Sequence, residues 1–238
     1  MTIEDVNIDI YADGADLSGM LEMLKKPYIK GFTTNPTLMK KAGVKDYVSF
    51  AGEVLKEIRE LPVSFEVFAD DFPTMKKEAR KLCSLGDNVF VKIPVTNIDG
   101  EPSYELVKDL SKEGLKLNVT AIMTLEQVEK VVASFAEGTE NIVSVFAGRI
   151  ADAGIDAEEH MRKAAKICHT RNGIKLLWAS CREVYNIIQA EKSGSDIITV
   201  TNDILKKCGN LGKDLTQFSL ETVRMFSNDG HALGFSIL

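Results

Sequence analysis

Val89-Phe90-Val91-Lys92-Ile93-Pro94-Val95 is a short apolar run broken by a single ammonium, and it is the key to the fold. Its length and its β-branched and aromatic content read as a fully buried strand. Working outward, comparable runs recur at 63–68, 28–33 and 6–12 on one side and at 115–120, 142–146, 175–179 and 196–199 on the other. With 89–93, that makes eight candidate strands. Helical periodicities lie between them. Val44, Val48, Ala51, Leu55 and Ile58 share one face, as do Leu125, Val128, Val131, Val132 and Phe135, and also Met161, Ala164, Ala165 and Cys168. Strands alternating with helices predict an α/β protein with repeated βα units and a parallel sheet. A closed (β/α)8 barrel fits both count and length, with a doubly wound open sheet as the competitor.

Composition narrows the function classes. The 238 residues are 45% hydrophobic and 27% charged, an ordinary globular mixture that excludes disorder and collagen-like repeats. Such a chain buries a large core without metal or disulfide staples. No linker or low-complexity stretch divides it, so a single domain over 1–238 is expected. Residues 214–226 look like one more helix after the eighth unit, followed by a tail ending apolar in Leu233-Gly234-Phe235-Ser236-Ile237-Leu238. That tail reads either as a frayed tip or as an arm covering a neighbouring subunit. Lys plus Arg number 29 against 35 Asp plus Glu, a net charge of −6, which disfavours nucleic acid or an anionic membrane as partner. A small anionic ligand stays open, because a few local cations overrule the global balance. No run approaches the ~20 apolar residues of a membrane span, and the acidic start lacks signal-peptide features, so a cytoplasmic protein is expected. Cys83, Cys168, Cys181 and Cys208 form no CxxC pair, and His160, His169 and His231 lack metal-like spacing, so no metal site is expected.

In a barrel, chemistry collects at the carboxyl ends of the strands. The candidate strands end on Asp13, on Thr33-Thr34-Asn35-Pro36, and on Glu66, Lys92, Asn118 and Thr120. The later ones end on Ser144, Phe146 and Arg149, and on Ser180-Cys181-Arg182. Lys92 is the most informative. Burying an ammonium is costly, and a lysine that sheds its proton is a nucleophile toward carbonyls, able to form a Schiff base. The competing reading is a stem that packs while the amine snorkels to water. Asp13 and Glu66 are candidate proton handlers, although Asp13 precedes a helix-like stretch and would also serve as a cap. Arg149, Ser180 and Arg182 look like an anion grip, against the alternative of surface arginines paired to carboxylates. No GxGxxG or GxxxxGK[ST] is present, so nucleotide binding through such loops has no support.

These residues resemble the family of small transaldolases and fructose-6-phosphate aldolases. The likeness runs from about Val6 to Leu205 and is strongest in Gly31-Phe32-Thr33-Thr34-Asn35-Pro36 and Val91-Lys92-Ile93-Pro94-Val95-Thr96, with Asp13-Gly14-Ala15-Asp16 similar to the family's first-strand motif. The resemblance implies a TIM barrel and Schiff-base chemistry, with Lys92 as the imine lysine and Asp13 as the proton shuttle at the C3–C4 bond. It implies that Thr33, Asn35 and Asn118 contact substrate and that Glu66 and Thr120 position the catalytic water. Ser144 and Phe146 would line the pocket, and Arg149, Ser180 and Arg182 would hold phosphate. Sugar phosphates are the implied substrates, no cofactor is implied, and homo-oligomers are expected, pentamers or decamers of two pentamers.

Two positions separate the branches of that family. The aldolase branch has Gln where this chain has Glu66 and Tyr where it has Phe146, so both favour a transaldolase over an aldolase releasing free dihydroxyacetone. A non-catalytic sugar-phosphate sensor is a further alternative, but binding alone needs no imine lysine. Gly14 stands where the family usually has Thr and Cys181 where Phe is common. The segment 97–104 is longer than in small members, which bears on the preferred sugar phosphate.

Overall fold

The computed structural model describes residues 2–235. Eight strands alternate with helices: β1 (Asp9–Asp13), β2 (Ile29–Thr33), β3 (Val63–Glu66), β4 (Val89–Pro94), β5 (Leu117–Ile122), β6 (Asn141–Val145), β7 (Ile174–Trp178) and β8 (Ile197–Thr201). They pair in chain order, all parallel, and β8 closes on β1, so the sheet is a barrel and not an open doubly wound sheet. The helices are α1 (Leu17–Leu24), α2 (Pro36–Ala42), α3 (Tyr47–Glu57), α4 (Phe72–Cys83), α5 (Tyr104–Lys112) and α6 (Leu125–Ser134). They continue with α7 (Ala147–Asp152), α8 (Ala157–Cys168), α9 (Tyr185–Ser193), α10 (Asn202–Leu205) and α11 (Leu215–Leu233).

Two apolar layers hold the fold. Outward-facing residues such as Ile10, Phe32, Phe65, Val91, Val119 and Val143 pack under the helices in one continuous core. Inside the barrel Tyr11, Phe90, Ile142, Leu177 and Ile197 form a separate plug. Alternation along each strand makes this division, because successive side chains point to opposite faces. Gly31 admits the plug: a Cβ there would lie 2.6 Å from the Tyr11 ring.

Several boundaries differ from the sequence reading. β1 starts at Asp9, not at Val6, because Ile3–Asp5 form a 3-10 turn closed by reciprocal Thr2 and Asp5 hydrogen bonds. β3 ends just past Glu66: the Val67 amide still donates to the Lys92 carbonyl, but those of Phe68 and Ala69 turn to the Glu78 carboxylate, while the Phe68 ring stacks on Tyr47. α3 buries Phe50, Ala51 and Val54, and Val48 is exposed, so the buried face is rotated from the expected one. The helix expected at 214–226 continues to Leu233. Ser236, Ile237 and Leu238 of the proposed arm lie outside the described residues.

Candidate active site

Strand alternation that points Tyr11, Phe90 and Ile142 into the plug points Asp13, Lys92 and Ser144, two residues on, into the mouth. The mouth is a cavity of about 450 Å³, within the usual range for small-molecule sites. It is lined by Lys92, Asp13, Glu66, Thr120, Thr33, Asn35, Ser144, Phe146, Arg149, Ser180 and Arg182. Asn118 is the exception among the sequence candidates. It is fully buried beneath the lining, its amide donating to Ser64 Oγ at 3.0 Å and its carbonyl accepting from Ser144 Oγ at 2.6 Å.

Lys92 does not snorkel out. Register pairs it with Glu66 on β3 and Asn118 on β5, its side chain is 9% exposed, and its Nζ lies 3.0 Å from Glu66 Oε2. Nζ also donates to the Thr34 carbonyl at 2.9 Å. A buried ion pair adds little net stability, because desolvation offsets the Coulomb gain. Its placement in a cavity therefore calls for a chemical reason. Cys181, the thiol in the lining, is buried and pushed up to about 12, so it stays protonated near neutrality.

Asp13 is not a cap. Asp16 caps α1 through the Gly19 amide, which leaves Asp13 to the mouth. Burial raises the Asp13 carboxyl, while the nearby Lys92 charge and hydrogen bonds from Thr33 and Asn35 pull the other way, and Glu66 adds a smaller upward push. Thr33 Oγ1 donates to Asp13 Oδ1 at 2.8 Å. Asn35 spends its carbonyl on the Leu38 amide as the cap of α2. Thr120 Oγ1 is buried with no hydrogen-bond partner among the described residues, and the residue after it, Ala121, sits at φ 62° where the β5–β6 register slips. A strained bulge of this kind re-aims a side chain.

The opposite wall carries the cations. Ser180 holds φ 61°, and a Cβ on Gly148 would lie 1.8 Å from the Ser180 carbonyl oxygen, so only glycine lets α7 start against this loop. That contact sets Arg149 beside Ser180. Arg149 lies over the Phe146 ring at 5.9 Å and, among the described residues, has no carboxylate partner. Arg182 pairs with Asp152 at 2.6 Å. Thr199 and Thr201 of β8 also line the cavity. Sequence reasoning passed over both, since threonine is an ordinary strand former. A second cavity of about 720 Å³ lies across Glu66, bounded by Asn97 and Ile98 of the long segment after β4. That segment therefore shapes the neighbouring chamber, not the wall around Lys92.

Residues 10–237 match the model of the transaldolase/fructose-6-phosphate aldolase family. A protein of Methanococcus maripaludis named "Probable transaldolase" is 37% identical over 205 residues, covering 84% of this chain and 89% of its own. One of Erythrobacter litoralis with the same name is 34% identical, covering 97% of this chain and all of its own. Among solved structures, the tryptophan synthase α-subunit of Pyrococcus furiosus superposes with a TM-score of 0.57 at 14% identity, over 89% of this chain and 93% of that one. That likeness concerns the barrel alone.

Proposed function

The chain belongs to the transaldolase/fructose-6-phosphate aldolase family, and from that premise we propose that it transfers a dihydroxyacetone unit between sugar phosphates through an imine on Lys92. The donor is a ketose phosphate, sedoheptulose 7-phosphate or fructose 6-phosphate, and the acceptor an aldose phosphate. The observation that carries this reading is a lysine buried in the cavity within 3.0 Å of one carboxylate and facing a second.

Lys92 gives one ammonium proton to Glu66, the freed amine adds to the ketose carbonyl at C2, and that proton goes to the hydroxyl that leaves as water, giving a protonated imine. The Asp13 carboxylate takes the proton of the C4 hydroxyl, the C3–C4 bond breaks, and its electron pair moves into the imine to form an enamine. The aldose phosphate departs. An acceptor aldehyde then enters, the enamine carbon attacks it, and Asp13 returns the proton to the new hydroxyl. Glu66 and Thr120, whose hydroxyl has no partner among the described residues, hold the water that adds to the imine and frees the product. Asn35 and Ser144 face substrate hydroxyls, and Asn118 keeps one amide hydrogen beyond that given to Ser64. Arg149, Ser180 and Arg182 take the phosphate.

Phe146 decides the branch. It is apolar and offers no donor to the dihydroxyacetone enamine, which must take a proton at carbon before water can hydrolyse it to free dihydroxyacetone, so transfer outruns release. The test measures free dihydroxyacetone from fructose 6-phosphate with and without glyceraldehyde 3-phosphate. Wild type is expected to transfer well and release slowly, and Phe146→Tyr to raise release while lowering transfer. Release as fast as transfer in wild type would make the protein an aldolase.

A homo-oligomer, a pentamer or a decamer of two pentamers, is part of the same proposal. α11 buries none of its residues, and Val223, Met225 and Phe226 are exposed along it. A surface of this kind marks a protein contact. A monomer mass by light scattering at micromolar concentration would refute it. The four cysteines are unpaired, which suits the cytoplasmic setting proposed for it.

A further inference from the structure

We propose that Thr199 of β8 is a positioning residue for Asp13, acting through Thr33 in a directed chain of hydroxyls that spans three strands. This rests on the role given to Asp13 above. Thr33 Oγ1 is within hydrogen-bond distance of two groups, Asp13 Oδ1 at 2.8 Å and Thr199 Oγ1. A hydroxyl carries one proton, and an ionised carboxylate only accepts. The Thr33 proton therefore goes to Asp13, and its oxygen is left to accept. The proton between the two threonines then belongs to Thr199. With Asp13 ionised, Thr199 donates to Thr33 and Thr33 donates to Asp13.

The fold makes this chain rigid. β2 and β8 flank β1 on its two edges, so Thr33 and Thr199 meet inside the barrel between the Tyr11 level and the Asp13 level. Both threonines are buried, at 3% and 7% exposure, and water competes little for their hydroxyls. Each donor polarises the next, so Thr199 strengthens the bond that Thr33 makes to the carboxylate. The device favours ionised Asp13, the form that can take the C4 hydroxyl proton, against the burial that disfavours it.

The surroundings leave few rivals for this effect. The charged groups acting on Asp13 are Lys92 from β4 and Glu66 from β3. β2 contributes the neutral Thr33, the cap of α2 the neutral Asn35, and β8 the neutral Thr199 and Thr201. Asp16, the cap of α1, is engaged with Ser18 and the Gly19 amide. Arg149 and Arg182 stand on the far wall of the same cavity.

The test follows the Asp13 carboxyl by carbon-13 NMR in full-length, substrate-free protein, assigned with Asp13→Asn, alongside the pH profile of C3–C4 cleavage. Thr199→Val removes the hydroxyl at nearly constant shape, and Thr199→Ala removes it without adding a methyl, should valine disturb folding. Either is expected to move the Asp13 titration, and the acidic limb of kcat with it, upward by about half a pH unit. Thr199→Ser keeps the donor and is expected to hold both at the wild-type position. Unmoved titration in both hydroxyl-free variants, or an equal shift in the serine variant, would overturn the proposal. The NMR readout needs no turnover. An inactive wild type would count against the transferase reading and leave the chain itself open to measurement.

Discussion

The two ends of the barrel interior are built by the same strands and do opposite work. At the amino end Tyr11, Phe90, Ile142, Leu177 and Ile197 form an apolar plug. About 6.6 Å further along each strand, two residues on, the interior turns polar at Asp13, Lys92, Ser144 and Thr199. The difference teaches how the fold separates stability from chemistry. The plug removes apolar surface from water and fixes strand register. The mouth holds an ammonium, two carboxylates and several hydroxyls whose burial is tolerated only because each faces a partner or the cavity. The desolvation cost of the mouth is offset by packing below it and under the helices.

Substitutions at the two levels should separate cleanly. Lys92→Met, in the mouth, is expected to leave a folded barrel and to lower turnover on the order of 10⁴-fold or more, since every later step passes through the imine. Circular dichroism and a transfer assay together check it, and retained activity would break the division. Phe90→Ala, two residues earlier on the same strand, should do the reverse. It is expected to cost about 3–5 kcal/mol of stability by denaturant titration, while kcat of the folded fraction stays close to wild type. A collapse of kcat without loss of stability would show that plug and mouth are one unit.

The rim sharpens the contrast with a smaller effect. Arg149 makes no ion pair among the described residues, so its cation is free for an anion. Arg149→Ala is expected to weaken phosphorylated substrates by roughly 1.5–3 kcal/mol, about 10- to 150-fold in KM, and to leave unphosphorylated dihydroxyacetone unaffected. Arg182→Ala should cost less, because Arg182 already shares its charge with Asp152. Equal losses on both kinds of substrate would make these arginines structural.

Much of this was legible in the residues themselves, for reasons that differ from place to place. The strands stood out because buried parallel strands are short, continuous apolar runs, and Lys92 stood out because it interrupts one. The amphipathic pattern of α6 and α8 placed their buried faces correctly. α3 misled, because Val48 fits the spacing while Phe50 and Val54 do the packing. Whether Asp13 serves as a helix cap or as a proton handler was open in the sequence, since it precedes a helix-like stretch. Backbone geometry settled it through the Gly19 amide. Thr199 and Ser64 gave no signal, because hydroxyl residues in strands look alike whether they face helices, lumen or each other. The strain at Ala121 and Ser180 was equally silent, because neither is a residue type that advertises a left-handed backbone.

The central claim is that Lys92, the lysine set into the polar end of the barrel, is the nucleophile once its ammonium has given up a proton. Borohydride reduction in the presence of fructose 6-phosphate, followed by peptide mass mapping, tests it most directly. The reduced adduct of the three-carbon unit is expected on Lys92 alone, and absent from Lys92→Met. An adduct on any other lysine, or no adduct from an enzyme that is turning over, would contradict it.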